Sequence, residues 1–157
     1  MNKINEILYN EKYIRYLEEL YELEQDRIFC RHTIEHFLDV SRIAYIKVLE
    51  NNLSYSKDII YAIGLLHDIG RVLQYNEGIP HDEGSVIIAR EILSETSYTE
   101  EEVDVILSAI DSHRQRTNGE LESIIYNSDK ESRNCFMCAA EKECYWSKDK
   151  KNFNITI

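Results

Sequence analysis

Hydrophobic positions recur every three or four residues along most of the chain, the spacing of helices that bury one side. Residues 3–25 place Ile4, Ile7, Leu8, Ile14, Leu17, Leu20 and Tyr21 on such a stripe. Residues 31–50 do the same with Ile34, Phe37, Leu38, Ser41, Ala44, Tyr45 and Val48. Residues 56–69 are nearly all apolar around Ile59, Ile60, Ile63 and Leu66, which predicts a central helix with Gly70 as its stop. Residues 72–80 read as a loop, with Gly78 and Pro80 ahead of a helix capped by Asp82 and carrying Val86, Ile87, Ala89, Arg90 and Leu93. Thr99 followed by Glu102 has the spacing of a reciprocal cap, each side chain taking the other's backbone N–H, and opens a helix that buries Val103, Ile106, Leu107 and Ile110. Asn118-Gly119 predicts a turn and residues 121–133 a last helix. Beyond residue 134 the period is lost, and no alternating strand pattern stands out except at the last few residues. The chain therefore reads as one all-α domain of about six helices: an N-terminal helix within 1–30, a core over 31–133, and a tail over 134–157 that holds three of the cysteines.

Composition narrows the function classes. The 157 residues are 43% hydrophobic with one proline and five glycines, which excludes a disordered, collagen-like or turn-rich all-β chain. Lysine and arginine number 18 against 29 acidic residues, a formal net charge of −11, and such a surface repels long nucleic acids. No apolar run approaches the ~18–20 residues of a membrane span, and the polar first 13 residues lack a signal-peptide block. The expected location is the cytoplasm, where cysteines serve as thiols or metal ligands rather than disulfides.

The sharpest chemical feature is His67-Asp68 at the end of the most apolar helix. A carboxylate there is costly to bury unless a charge compensates it, and a divalent cation bound by imidazole and carboxylate would do so. A histidine that merely suits a helix C-terminus is the alternative on this dipeptide alone. Four further histidines, His32, His36, His81 and His113, also sit within or at the edge of predicted helices.

The order His36, His67-Asp68, His81, His113 and Asp129, with Val40 four residues after His36 and Lys130 after Asp129, resembles the HD superfamily of metal-dependent phosphohydrolases. Within it the order is similar to dinuclear members such as bacterial diadenosine tetraphosphate hydrolases. The resemblance implies a compact HD-type helical bundle that hydrolyses a small phosphate ester or anhydride, a nucleotide first among candidates, through metal-activated water. It implies two divalent transition ions (Fe, Mn, Zn or Mg/Mn): one held by His36, His67, Asp68 and Asp129, the other by Asp68, His81 and His113. A mononuclear site in which His81 and His113 bind substrate phosphate is the other arrangement. Some relatives use the same ligand order for mixed-valence di-iron oxygen chemistry, and a non-catalytic nucleotide or metal sensor is the third class.

Basic residues flank these motifs. Arg71 and Lys130 are expected to assist catalysis and bind phosphate, and Arg114 to bind substrate. Arg116 and Arg133 read instead as tips of solvated helix faces. His32, one turn before His36, is expected outside the ligand set, as a residue supporting the ligands from behind, a substrate contact, a general acid or a satisfied helix histidine. Cys135, Cys138 and Cys144 in the tail, joined by Cys30, form a second candidate metal set for structural zinc or an iron–sulfur cluster, with buried thiols as the plain alternative. Tyr13, Tyr16 and Tyr21 read as packing residues rather than base-stacking ones. Expected partners are a small phosphorylated substrate and, compatibly, a second copy of the chain, with no membrane or long nucleic acid.

Overall fold

The computed structural model describes residues 2–114 and 118–157; Arg116 therefore lies outside the described residues. The described residues form eight α-helices and one 3₁₀ turn, with no strand. They are α1 (Lys3–Leu8), α2 (Glu11–Leu23), α3 (Ile34–Glu50), α4 (Lys57–Leu66), α5 (Arg71–Glu77), α6 (His81–Leu93), α7 (Glu100–Ser112) and α8 (Glu120–Glu131), followed by the turn Cys135–Met137. The domain is an all-helical bundle, as the hydrophobic period predicts.

Helix α4 lies at the centre, with Ile60, Ile63, Leu65 and Leu66 essentially out of water and α1, α3, α6 and α7 packed around it. Helices α3 and α4 cross closely at Gly64, where a Cβ would come 2.1 Å from Ser41 Oγ. Tyr13 is fully buried and donates from its hydroxyl to the Leu65 carbonyl at 3.1 Å, so it braces α2 against α4 and stacks on no ligand. The reciprocal cap at Thr99 and Glu102 has both of its bonds.

Four boundaries differ from the expectation. The first stripe breaks in two because the Asn10 side chain accepts from the N–H groups of Lys12 and Tyr13, capping a new helix. Helix α3 starts at Ile34, capped by Thr33, so His32 precedes the helix rather than lying on it. The stretch expected to be a loop forms α5, which Gly78 ends at a left-handed φ of 75°. Helix α6 begins at His81 after Pro80, so Asp82 is its second residue and not its cap. Ile14 and Ile87, on the predicted stripes, are exposed at 39% and 52%.

Gly70 does not end α4, which stops at Leu66 with His67 as its C-cap; it precedes α5 instead. Its N–H donates to Ser85 Oγ at 2.9 Å, and a Cβ on it would meet Ser85 N at 1.9 Å and the His81 carbonyl oxygen at 2.4 Å. The His67-Asp68 turn thus lies directly against the start of α6. Gly70→Ala is expected to force these backbones apart, costing ~1–3 kcal/mol or more by the usual overpacking penalty. Chemical denaturation would show the loss of stability. Metal affinity should fall with it, because His81 moves with the same backbone.

The tail is not a separate appendage. It lies against α8 and the α2–α3 connection, with Asn152 donating to the Glu131 carbonyl at 2.8 Å and Tyr145 edge-on to Phe29 at 6.4 Å between ring centroids. Lys151 donates to the carbonyl and the carboxylate of Glu141 at 2.9 and 2.8 Å. No helix of the described residues is long and apolar enough to cross a membrane.

Candidate metal centre

Five elements bring one residue or pair each to a common point. Helix α3 supplies His36, the turn after α4 supplies His67 and Asp68, α6 supplies His81 at its first position, the end of α7 supplies His113, and α8 supplies Asp129. All six are buried. Asp68 is the hub. Its Oδ2 lies 3.4 Å from His67 Nε2 and 4.0 Å from His36 Nε2, while its Oδ1 lies 3.3 Å from His81 Nε2 and 3.6 Å from His113 Nε2. Asp129 Oδ1 faces His36 and His67 Nε2 at 3.4 and 3.8 Å. The ligand atoms fall into two groups, each within 4.8 Å: His36, His67, Asp68 and Asp129, and then Asp68, His81 and His113.

The hydrogen bonds on the outer sides of the rings fix what the inner sides can do. His67 Nδ1 lies 2.8 Å from the Gly64 carbonyl, and His113 Nδ1 contacts the Ile110 carbonyl. A carbonyl only accepts, so both Nδ1 atoms carry hydrogen. Ser132 Oγ donates to the Asp129 carbonyl at 2.7 Å and so accepts from His36 Nδ1 at 3.1 Å. In their neutral forms, then, these three rings aim a bare Nε2 lone pair at carboxylate oxygens. That arrangement is repulsive without a positive charge between them. Consistently, His36 Nε2, His67 Nε2 and Asp68 Oδ1 are buried without a hydrogen-bond partner. Separations of 3.3–4.0 Å are also those of atoms that each bind a common ion at ~2.0–2.2 Å. The donor set therefore fits divalent transition ions, with the outer bonds fixing ring orientation.

The electrostatics agree. Burial alone would raise the Asp68 carboxyl, but Arg71, His32 and His67 hold it well below the usual range. Burial likewise opposes ionisation of Asp129, and His67, Lys130 and His36 outweigh it. Burial pushes the His67 imidazole down, yet the two carboxylates raise it to about 9. A proton thus takes the compensating position when no cation does. Burial keeps His81 neutral, at about 3, and His36 well below its usual value.

His32 belongs to neither group. Its Nδ1 donates to Glu24 at 2.6 Å, its backbone N–H donates to the same carboxylate at 2.7 Å, and its Nε2 faces Asp68 Oδ2 at 3.5 Å. Burial lowers its imidazole to about 4. Glu24, only 2% exposed, also accepts from the Tyr75 hydroxyl at 2.8 Å. Nothing in the sequence singles out Glu24, which ends an ordinary amphipathic helix.

The site opens into a cleft of about 200 Å³ lined by six cations, Arg27, Arg71, Arg114, Lys130, Arg133 and Lys150, against two carboxylates, Asp68 and Asp129. Arg71 Nε lies 3.3 Å from Asp68 Oδ1, and Arg114 pairs with Asp82 at 3.1 Å on the rim. Lys130 contacts Asp129 and sits 4.9 Å from the ring centroids of both Tyr126 and Trp146. Arg133 corrects the expectation of a solvated helix tip. It is 9% exposed and donates to the Arg31 carbonyl at 2.7 Å, because the tail folds over the end of α8. Tyr145 and Trp146 from the tail complete the cleft wall. Their adjacency to Cys144 in an otherwise polar segment was the one signal for them.

The profile of the HD domain family matches residues 33–144, which spans every one of the six clustered residues. An uncharacterized protein of Clostridium beijerinckii is 44% identical over 155 residues, covering 99% of each chain. No solved structure is significantly similar to the chain.

Proposed function

We propose, because this chain belongs to the HD-domain family of metal-dependent phosphohydrolase type, that it hydrolyses a small phosphate ester or anhydride, with a nucleotide as the leading substrate class. The observation that carries this reading is the pair of buried ligand groups sharing Asp68 at the floor of a cation-lined cleft. His36, His67, Asp68 and Asp129 would hold one divalent ion, and Asp68, His81 and His113 a second. Bound there, such ions polarise phosphoryl oxygens and lower the pKa of water so that it attacks near neutral pH.

The chain's own residues supply the rest. Arg71 Nε is buried without a hydrogen-bond partner while Nη1 is held by Gln74 at 3.2 Å, so its guanidinium is oriented to share donors with an incoming phosphate. Lys130 is fixed between two aromatic rings and offsets charge that develops on phosphoryl oxygens. Tyr126, Tyr145 and Trp146 offer aromatic surface beside these cations, which suits a ring-bearing phosphate such as a nucleotide. The cleft lies below the ~300–1,000 Å³ of pockets that enclose drug-sized ligands, which favours a compact substrate over a polymer. The net charge of −11 is compatible with this, because the local balance at the cleft is cationic.

Chelator-treated protein is expected to lose turnover of a phosphomonoester and nucleotide panel, and to regain it with Mn²⁺, Fe²⁺ or Zn²⁺ added back. Turnover that survives complete metal removal would sink the reading. Oxygen consumption coupled to substrate oxidation by the iron form, with no phosphate released, would replace it with the oxygenase reading. Tight nucleotide binding without product would replace it with the sensor reading.

A further inference from the structure

The cysteines stand outside the hydrolytic centre. Cys30 lies in the α2–α3 connection, and Cys135, Cys138 and Cys144 come from the tail more than 100 residues later. The fold brings the two segments together. Cys30 and Cys144 line the same wall of the cleft, and Cys135 and Cys138 lie on one turn in which the Cys138 N–H donates to the Cys135 carbonyl at 3.2 Å. None is in a disulfide. Arg133 donates to the Arg31 carbonyl at 2.7 Å and Tyr145 lies edge-on to Phe29 at 6.4 Å, so the neighbours of Cys30 meet the residues beside Cys135 and Cys144.

Two other features point to a ligand here. The tail is irregular apart from one 3₁₀ turn, and among residues 134–157 only Cys135 and Ala140 are buried. Burying two small side chains does not offset the conformational entropy of ordering such a segment, and small irregular units of this kind are stapled by disulfides or metals. Arg133, beside Cys30, is buried at 9% exposure, and its Nε has no hydrogen-bond partner among the described residues. A buried cation beside the thiols suits an anionic thiolate complex.

We propose that Cys30, Cys135, Cys138 and Cys144 bind one structural Zn²⁺ that staples the tail to the α2–α3 connection and so fixes Tyr145 and Trp146 in the cleft wall. Four thiols lose four protons, and four thiolates with Zn²⁺ form a complex of charge −2, which Arg133 flanks. No three of these sulfurs lie within 4.8 Å of one another, so ligation requires the tail and the α2–α3 connection to close on the ion.

The test uses full-length protein purified without added metal, with the His/Asp centre emptied by His67→Ala and Asp68→Ala. This protein is expected to retain about one equivalent of zinc. Adding Cys135→Ser and Cys138→Ser should remove it. Cobalt replacing that zinc should show an intense near-ultraviolet thiolate-to-metal band that His/Asp ligands cannot give. Should the serine variants fail to fold, titrating the wild-type chain with a mercurial serves instead. Zinc release should then track modification of four thiols. Absence of zinc from the emptied protein, zinc surviving the serine changes, or disulfides among these cysteines by mass spectrometry would each overturn the proposal. None of these readouts depends on hydrolytic activity.

Discussion

Asp68→Ala is expected to lower kcat/KM by on the order of 10³-fold or more, since both ions of the proposed centre and their charge stabilisation would depend on this side chain. Among the described residues, no other serves both ligand groups. Its Oδ1 faces His81 and His113, and its Oδ2 faces His36 and His67. Losing any one histidine leaves the other group intact, whereas losing Asp68 opens both. The factor corresponds to about 4 kcal/mol of transition-state stabilisation. The same change leaves the half-buried Arg71 without its acceptor and counter-charge, which by itself costs ~1–3 kcal/mol of stability. Asp68→Asn removes the charge as well, but it keeps the shape and an acceptor for Arg71 Nε and so recovers part of the stability. It should unfold at a denaturant concentration nearer to wild type than Asp68→Ala does, yet be almost as inactive. Asp68→Asn with wild-type turnover would show that the carboxylate does not hold metal.

The second large effect belongs to a residue without motif status. Glu24 accepts from the His32 ring, the His32 backbone N–H and the Tyr75 hydroxyl, all within 2.8 Å. Glu24→Ala strands two buried donors, the His32 ring and backbone N–H, and releases the exposed Tyr75 hydroxyl to water, and is expected to cost ~2–5 kcal/mol, a large share of the 5–15 kcal/mol of a typical domain. Glu24→Gln keeps one acceptor oxygen and should cost less. Burial alone would raise the Glu24 carboxyl, but His32 and Tyr75 more than offset it, so its folded pKa lies below the ordinary value. The sign follows from linkage: this stabilisation is full above the unfolded pKa of ~4.3 and is lost as pH falls through the folded value. Urea unfolding of the wild type and Glu24→Gln at pH 7 and near pH 3 checks it, the gap between the two being wide at pH 7 and narrow in acid. A gap independent of pH would contradict an ionised Glu24.

The sequence makes much of this legible and hides the rest for physical reasons. Helix α4 is readable because Ile60, Ile63 and Leu66 must all be buried, and the Thr99–Glu102 cap because its chemistry is local. His36, His67, Asp68, His81, His113 and Asp129 can be picked out by residue type and order, and the fold gathers all six. Helix α5 is obscured because Gly78 and Pro80 resemble loop punctuation, whereas Gly78 is the helix's left-handed terminus. Gly70 reads as a stop, while its real constraint is the backbone of α6 pressed against it. Glu24 and Arg133 are hidden for another reason. A charged residue at a helix end is ordinarily solvated, and only the way the α2–α3 connection and the tail fold over them buries them. The tail carries no hydrophobic period, so its place in the cleft wall is a tertiary fact that no local pattern encodes.

The central claim is that one carboxylate is shared by two metal ions. Anomalous scattering from crystals grown with Mn²⁺ tests it most directly. The expected result is two peaks flanking Asp68, one among His36, His67 and Asp129 and the other against His81 and His113. A single peak, with His81 and His113 left to contact phosphate or water, would contradict it.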